Sequence, residues 1–139
     1  MNKQEILYNN KLIAHFMDGK YWPKSWNPFK KYHNRYEFPG FRIGIPPEQL
    51  MFHNHWNWLM WVINKIENDY PKVQITIEEH KCIFRWEGKF TITKIARTRF
   101  TAIYQSILDF IKYLDDEKRE EELKKATEYA ENLKNPTIF

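Results

Sequence analysis

The residues best suited to chemistry are the histidines of the tripeptide His53-Asn54-His55. Two histidines two positions apart bind one metal ion if the backbone is extended, but a metal site needs a third ligand. The remaining histidines lie in other segments, and no carboxylates repeat at ligand spacing. We therefore expect helix-capping or packing roles for His53 and His55 and predict no bound metal. A metal-dependent enzyme that uses one of them is kept as an alternative.

Cys82 is the only cysteine, and it lies in a segment where apolar and polar residues alternate. A thiol on the apolar side of such a strand is most often buried and structural. The four glycines are too dispersed for a phosphate-binding loop, and no Gly-x-Ser-x-Gly motif occurs. The sequence thus predicts no catalytic residue and no cofactor, and we expect a protein that is not an enzyme.

Residues 21–42 hold the densest mixture of rings and cations, with eight aromatic side chains among five Lys and Arg. Three interpretations fit this composition: a lid over the core, a protein interface, or a surface where bases stack on rings while cations neutralise phosphates. The residues expected to contact a partner are Trp26, Lys30, Lys31, Tyr32, Arg35 and Arg42, with Arg85 and Lys89 from the strands that follow.

Charge is unevenly distributed along a chain of net charge +4. Residues 20–42 hold six basic residues against one acid, and residues 72–99 hold seven against three, whereas residues 109–134 hold nine acids against six bases. One interpretation is that these charged segments are ordinary solvent-exposed faces without a binding role. The other is that two basic segments contact a host nucleoprotein, an acidic protein surface or single-stranded nucleic acid.

Composition restricts the class of protein. A chain of 139 residues with 42% hydrophobic and 29% charged residues is typical of a folded domain. No apolar run approaches the roughly 18 residues of a membrane helix, so we expect no membrane association. A single cysteine and a polar N-terminus without an apolar leader favour a cytoplasmic location, in the host cell if the protein is encoded by a phage.

Hydrophobic periodicity predicts three helices. The first covers residues 4–17 and ends at Gly19 in a left-handed conformation. The second begins near Asn54, which would cap it, and runs to about residue 68. The third is capped by Thr98 and continues as a polar helix beyond residue 115. Residues 20–47 contain five of the seven prolines, so we expect irregular structure there with a short strand near residues 38–43.

Three alternating segments between the last two helices predict strands, and Glu87-Gly88 is a tight-turn signal between the second and third. The predicted fold class is α+β: a three-stranded antiparallel meander covered by helices, plus a polar C-terminal helix. We expect a single domain over residues 1–116, including the basic-aromatic segment at 20–47, and a helical extension over residues 117–139.

Residues 52–60, FHNHWNWLM, resemble a signature of an uncharacterised family of small bacteriophage and bacterial proteins: an aromatic residue, His, two small or polar residues, then Trp-Asp/Asn-Trp-Leu-Met. Residues 9–17 resemble the beginning of the same proteins, and residues 102–113 resemble their last helix. Trp61 stands where those proteins tend to have proline. The basic-aromatic segment and the extension after Asp115 match no pattern of that family.

The resemblance implies a small phage-type accessory protein that acts by binding. Its predicted function is that of a counter-defence inhibitor, for example an anti-CRISPR protein that acts on a CRISPR effector or another host nucleoprotein. An alternative is a sponge for a nucleotide signal, in which the base stacks on Trp and an Arg binds the phosphate.

Overall fold

The computed structural model describes residues 1–22, 35–39 and 44–134, with the backbone alone at Trp22. Within these residues the predicted α+β class is confirmed. The elements in chain order are α1 (Lys3–Phe16), β1 (Lys20–Trp22), β2 (Arg35–Glu37), a 3₁₀ helix (Pro47–Gln49), α2 (Trp56–Asp69), β3 (Val73–Ile77), β4 (Lys81–Trp86), β5 (Phe90–Ile95) and α3 (Arg99–Lys134).

Strands β3, β4 and β5 form the predicted antiparallel meander, with Ile75 opposite Phe84 and Phe84 opposite Ile92. Gly88 has a φ of 80°, which explains why glycine follows Glu87 in the β4–β5 turn. A second sheet, which the sequence did not predict, pairs β1 with β2. The expected strand near residues 38–43 differs from β2, and residues 40–43 lie outside the described part of the chain.

The inner face of the meander packs against α3. Side chains alternate between the two faces of a strand, so Cys82, Phe84 and Trp86 point the same way. Cys82 and Phe84 are fully buried. Phe110 of α3 is also fully buried, and its ring centroid lies 5.8 Å from those of Phe84 and Phe90. These rings join the sheet to the helical layer and form the centre of the core.

The end of α1 corrects one sequence prediction. Asp18, not Gly19, adopts the left-handed conformation, with a φ of 60°. The Asp18 amide donates to the His15 carbonyl and the Gly19 amide to the Ala14 carbonyl, which is the Schellman arrangement. Gly19 is needed for space, because a Cβ there would lie 2.7 Å from both the Ala14 carbonyl oxygen and a ring carbon of Phe38.

The beginning of α2 corrects a second sequence prediction. The helix begins at Trp56, and its N-cap is His55, which makes no side-chain capping hydrogen bond. The predicted cap, Asn54, lies in the preceding turn, because the amides of Asn54 and His55 both donate to the Met51 carbonyl. The predicted cap of α3 is confirmed, since the Thr98 hydroxyl accepts from the Thr101 amide at 3.1 Å.

α3 is a single helix of 36 residues. The predicted boundary between residues 116 and 117 falls inside it, where it is uninterrupted. Eight residues of its first half are buried, whereas every residue from 118 to 134 is exposed. We call residues 118–134 the arm. Among the described helices, none combines the length and apolar character needed to cross a membrane.

Candidate functional site

Only three of the predicted contact residues can be placed. Arg35, Arg85 and Lys89 are described, whereas Trp26, Lys30, Lys31, Tyr32 and Arg42 lie outside the described residues. Three rings of the segment 21–42 have described side chains. Tyr36 and Phe38 are buried in the core, and Tyr21 is partly exposed. These two buried rings agree with the lid interpretation at the end of the segment that adjoins β2.

Arg85 lies on the outer face of the meander, which no described element covers. Alternation along the paired strands places eight side chains on this face: Gln74, Thr76, Lys81, Ile83, Arg85, Thr91, Thr93 and Ile95. Arg85 is exposed at the centre of one row, between Gln74 and Thr91. We call this set of eight residues the open face.

The open face is positively charged. Arg85 and Lys81 are its two charged members, and neither makes a side-chain ion pair or hydrogen bond with the described residues. Of the neighbouring acids, Glu79 and Glu87 lie in the turns at the two ends of the strands. Glu78 lies opposite Lys81 at one end of the face, because its amide donates to the Lys81 carbonyl at 2.8 Å. The face thus presents Arg85 among threonine, glutamine and isoleucine, and Lys81 at its end opposite Glu78.

The open face has no aromatic side chain. Phe84, Trp86 and Phe90 all belong to the opposite, inner face, where they pack on Phe110 of α3 and on Tyr70, the residue that follows α2. A surface that holds single-stranded nucleic acid combines cations with exposed rings on which bases stack. The open face supplies the cations only, so its chemistry fits carboxylates or phosphates rather than bases.

The positive charge of Lys89 is already paired within the molecule. Its Nζ lies 3.0 Å from Glu117 Oε1 of α3 and 4.1 Å from the centroid of the Trp86 ring. The ammonium is thus held by a carboxylate and by the ring quadrupole. Lys89 fastens the β4–β5 turn to α3, so the structure supports a positioning role for it.

Arg35 also has a structural contact. Its guanidinium donates to the carbonyl of Gly44 at 3.1 Å, and the contact is half-buried. The same strand forms backbone hydrogen bonds in both directions between Tyr36 and Ile45. Arg35 thereby reinforces the junction between β2 and the segment that leads to the 3₁₀ helix.

His53 takes part in a buried network that joins three distant segments. The Asn10 side chain is buried, and its Nδ2 donates to the Leu50 carbonyl at 3.0 Å and lies 2.8 Å from His53 Nδ1. Its Oδ1 accepts from the Tyr104 hydroxyl at 3.0 Å. Residues 9–17, 52–60 and 102–113, which were singled out for their resemblance to phage proteins, therefore meet at one point.

The network fixes the protonation of His53. The Leu50 carbonyl accepts only, so it requires the amide nitrogen of Asn10 on its side. The second N–H of the same amide then donates to His53 Nδ1, which must be unprotonated, leaving the hydrogen on Nε2. Burial lowers the pKa of His53 below its ordinary value of 6.5, which favours the same neutral ring.

His53 also borders a cleft of about 420 Å³ between the first turns of α1 and the 3₁₀ helix. Ile6, Leu7 and Pro47 supply apolar walls, and Lys3 and Glu48 lie at its rim. The size is within the range of small-ligand sites. Among the described residues, the only ring that lines the cleft is the His53 imidazole, so they do not supply the Trp–Arg pair that the nucleotide-sponge alternative requires.

Neither a metal site nor an activated thiol is assembled within the described residues. In the described part of the chain, no group of three or more His, Cys, Asp or Glu side chains comes close enough to hold a metal ion. His53 Nδ1 is already engaged by Asn10, and His55 is exposed. Cys82 is buried, as predicted, and burial raises the pKa of its thiol, which disfavours the reactive thiolate.

Two features of these sites were missed in the sequence. Lys81 lies on the same face as Arg85 because the two are four positions apart in one strand, and the alternation would have revealed it. The partnership of Asn10 with Tyr104 spans 94 positions and leaves no periodic signal.

No family model matches the sequence, and no curated protein or solved structure matches it either. The resemblance to small phage proteins therefore stays a prediction.

Proposed function

We propose that this chain is a non-catalytic binding protein whose open face contacts an acidic surface of a protein partner. The observation that carries the proposal is the exposed Arg85, which has no described ion-pair partner and whose cross-strand neighbours, Gln74 and Thr91, are both uncharged. The resemblance to phage accessory proteins suggests the class of partner, a host defence nucleoprotein, and the role, a counter-defence inhibitor such as an anti-CRISPR protein.

Elementary electrostatics supports this use of the face. A cation whose cross-strand neighbours are uncharged, such as Arg85, creates a positive potential that steers an acidic partner toward the surface and specifies its orientation. Arginine and isoleucine together suit an interface, since arginine is enriched at binding hot spots and Ile95, at 73% exposure, offers apolar area. The segment 21–42 contributes five further basic residues to the chain.

The direct test measures binding of two labelled probes, an oligoglutamate peptide and a single-stranded RNA, to the full chain at low and physiological salt. We expect binding of the acidic peptide that weakens with salt. Arg85→Glu should abolish it, because the substitution reverses the main charge of the face. The matched control is Lys112→Glu, which makes the same charge change at an exposed position of α3.

The outcomes separate the hypotheses. Loss of peptide binding in Arg85→Glu but not in Lys112→Glu supports the proposal. RNA binding with a steep salt dependence, without peptide binding, would assign the protein to nucleic-acid recognition instead. Equal binding by both variants would exclude the open face.

The counter-defence role is tested in cells. A phage targeted by an active CRISPR system is plated on hosts that express the wild-type chain, Arg85→Glu or Lys112→Glu. We expect plating to be restored by the wild type and by Lys112→Glu only. Absence of restoration by the wild type would remove CRISPR inhibition while leaving the binding proposal to its own measurement.

A further inference from the structure

The arm has an apolar stripe that no described residue covers. Leu123, Tyr129 and Leu133 are 69%, 67% and 63% exposed. The Lys125–Glu121 ion pair and the hydrogen bond from the Thr127 hydroxyl to the Leu123 carbonyl both lie within the arm. At 1.5 Å per residue, the arm extends about 25 Å beyond the part of α3 that packs on the sheet.

The spacing of the stripe indicates what fits it. Leu123, Ala126, Ala130 and Leu133 are separated by three, four and three positions. This spacing produces the narrow seam of a coiled coil, whereas a helix that packs on a sheet or in a groove needs a wider apolar face. The occupant is therefore a second helix with an equally narrow seam.

We propose that this helix is the arm of a second copy of the chain, paired antiparallel. The order Leu-Ala-Ala-Leu is the same in both directions, with Glu128 at its midpoint. A two-fold axis at Glu128 places Leu123 against Leu133 of the partner subunit and Ala126 against Ala130 of the partner subunit. A seam that is complementary to itself when reversed is what an isologous contact requires.

Charge selects the antiparallel orientation. Glu120 and Lys134 lie two heptads apart on the same flank of the stripe. When one helix is reversed, each flank faces the same flank of the other copy, so Glu120 meets Lys134 of the partner subunit, and the pair occurs twice. A parallel pairing would place Glu122 beside Thr127 of the partner subunit and Tyr129 beside Lys134 of the partner subunit, without an ion pair.

The position of the rest of each copy, which we call the body, also fits this orientation. α3 leaves the body at Glu117, which is 11 residues before the midpoint, so the two exits are separated by about 33 Å along the arms. Tyr129 lies next to the midpoint on the other flank, where the two rings contact each other. The seam holds only two Leu and two Ala per copy and is smaller than the roughly 1,600 Å² of a standard interface, so the dimer is concentration-dependent.

Sedimentation equilibrium of the full chain over a wide concentration range tests the proposal. We expect the mass to rise from monomer to dimer. Leu133→Lys should remain a monomer throughout, and Asn132→Lys, which adds the same side chain on the polar side of the arm, should dimerise as the wild type does. Circular dichroism checks that both variants stay folded. A wild type that is monomeric at every concentration overturns the proposal, as does a Leu133→Lys variant that dimerises normally.

Cysteine cross-linking tests the orientation, because the native Cys82 is buried and does not compete. In the antiparallel pair the two copies of residue 129 are neighbours, so Tyr129→Cys should form a covalent dimer under mild oxidation. In a parallel pair the two copies of residue 123 would be neighbours instead. Cross-linking of Leu123→Cys without that of Tyr129→Cys would overturn the antiparallel arrangement. A charge swap adds an independent check: Glu120→Lys should weaken the dimer and the double variant with Lys134→Glu should restore it.

Discussion

The two halves of α3 show what makes a helix part of a fold. Residues 102–111 contribute eight buried side chains, because apolar residues recur at three- and four-residue spacing over a wide face. The arm continues the same helix without a glycine or proline, yet none of its residues is buried. Packing stabilises the first half, whereas among the described residues of one copy the arm makes only local pairs such as Glu121–Lys125.

The largest expected effect comes from the same substitution in each half. Leu108 is 4% exposed and Leu123 is 69% exposed. Leu108→Ala should lower the free energy of unfolding by about 2–5 kcal/mol, because it removes buried methyl groups and leaves a cavity. Leu123→Ala should leave the unfolding of the monomer nearly unchanged. Urea denaturation at low protein concentration measures both, and similar losses would show that the arm packs on the body.

A second comparison sets the buried network against the polar residues of the open face. Asn10→Ala should cost about 1–3 kcal/mol, since it deprives the Leu50 carbonyl and the Tyr104 hydroxyl of their partner in a buried site. Gln74→Ala removes a side chain of the same chemical type from an exposed strand position and should cost much less. Thermal and urea unfolding give both values, and a negligible cost for Asn10→Ala would contradict the network.

The pH dependence of stability tests the tautomer of His53. Its pKa is lowered by burial in the folded protein, so the unfolded chain binds the proton more readily. The stabilisation is complete above the ordinary value of 6.5 and is lost as the pH falls below it. In His53→Asn the side-chain oxygen replaces Nδ1 as an acceptor and does not titrate. The free energy of unfolding of this variant should therefore decrease less between pH 7.5 and pH 5. The urea midpoints of the wild type and of His53→Asn at pH 7.5 and pH 5 measure this difference. If His53→Asn shows the same pH dependence as the wild type, other groups cause the loss of stability.

Local patterns predicted the regular elements of this fold. The alternation in β3–β5, the turn at Glu87-Gly88 and the Thr98 cap depend on neighbouring residues, and all three are confirmed. Two predictions about helix termini were wrong: the left-handed residue after α1 is Asp18 rather than Gly19, and Asn54 does not cap α2. Both places depend on contacts outside the helix, Phe38 against Gly19 and the Met51 carbonyl with the residues before Trp56.

The candidate site was harder to predict because exposure and pairing are tertiary properties. Arg85, Lys89 and Arg35 are all basic, but only Arg85 lacks a described partner, and no local pattern separates them. At His53 the residue type suggested metal binding or catalysis, whereas the ring contacts Asn10, which lies in a helix 43 positions away. Composition predicted a basic protein, and register was needed to show which cations share a face.

The smallest expected effects come from two ion pairs on either side of the point where α3 leaves the body. Glu117 binds Lys89 at 3.0 Å with both side chains about 40% exposed, whereas Glu121 lies 3.8 Å from Lys125 with both largely exposed. Glu117→Gln should destabilise the protein by about 0.5–1 kcal/mol, because it also loosens the ammonium over the Trp86 ring. Glu121→Gln should have no measurable effect on global unfolding, because an exposed pair within one helix contributes only a few tenths of a kcal/mol. Urea unfolding with and without added salt measures both. A larger loss at Glu121 than at Glu117 would place the end of the packed body further along the helix.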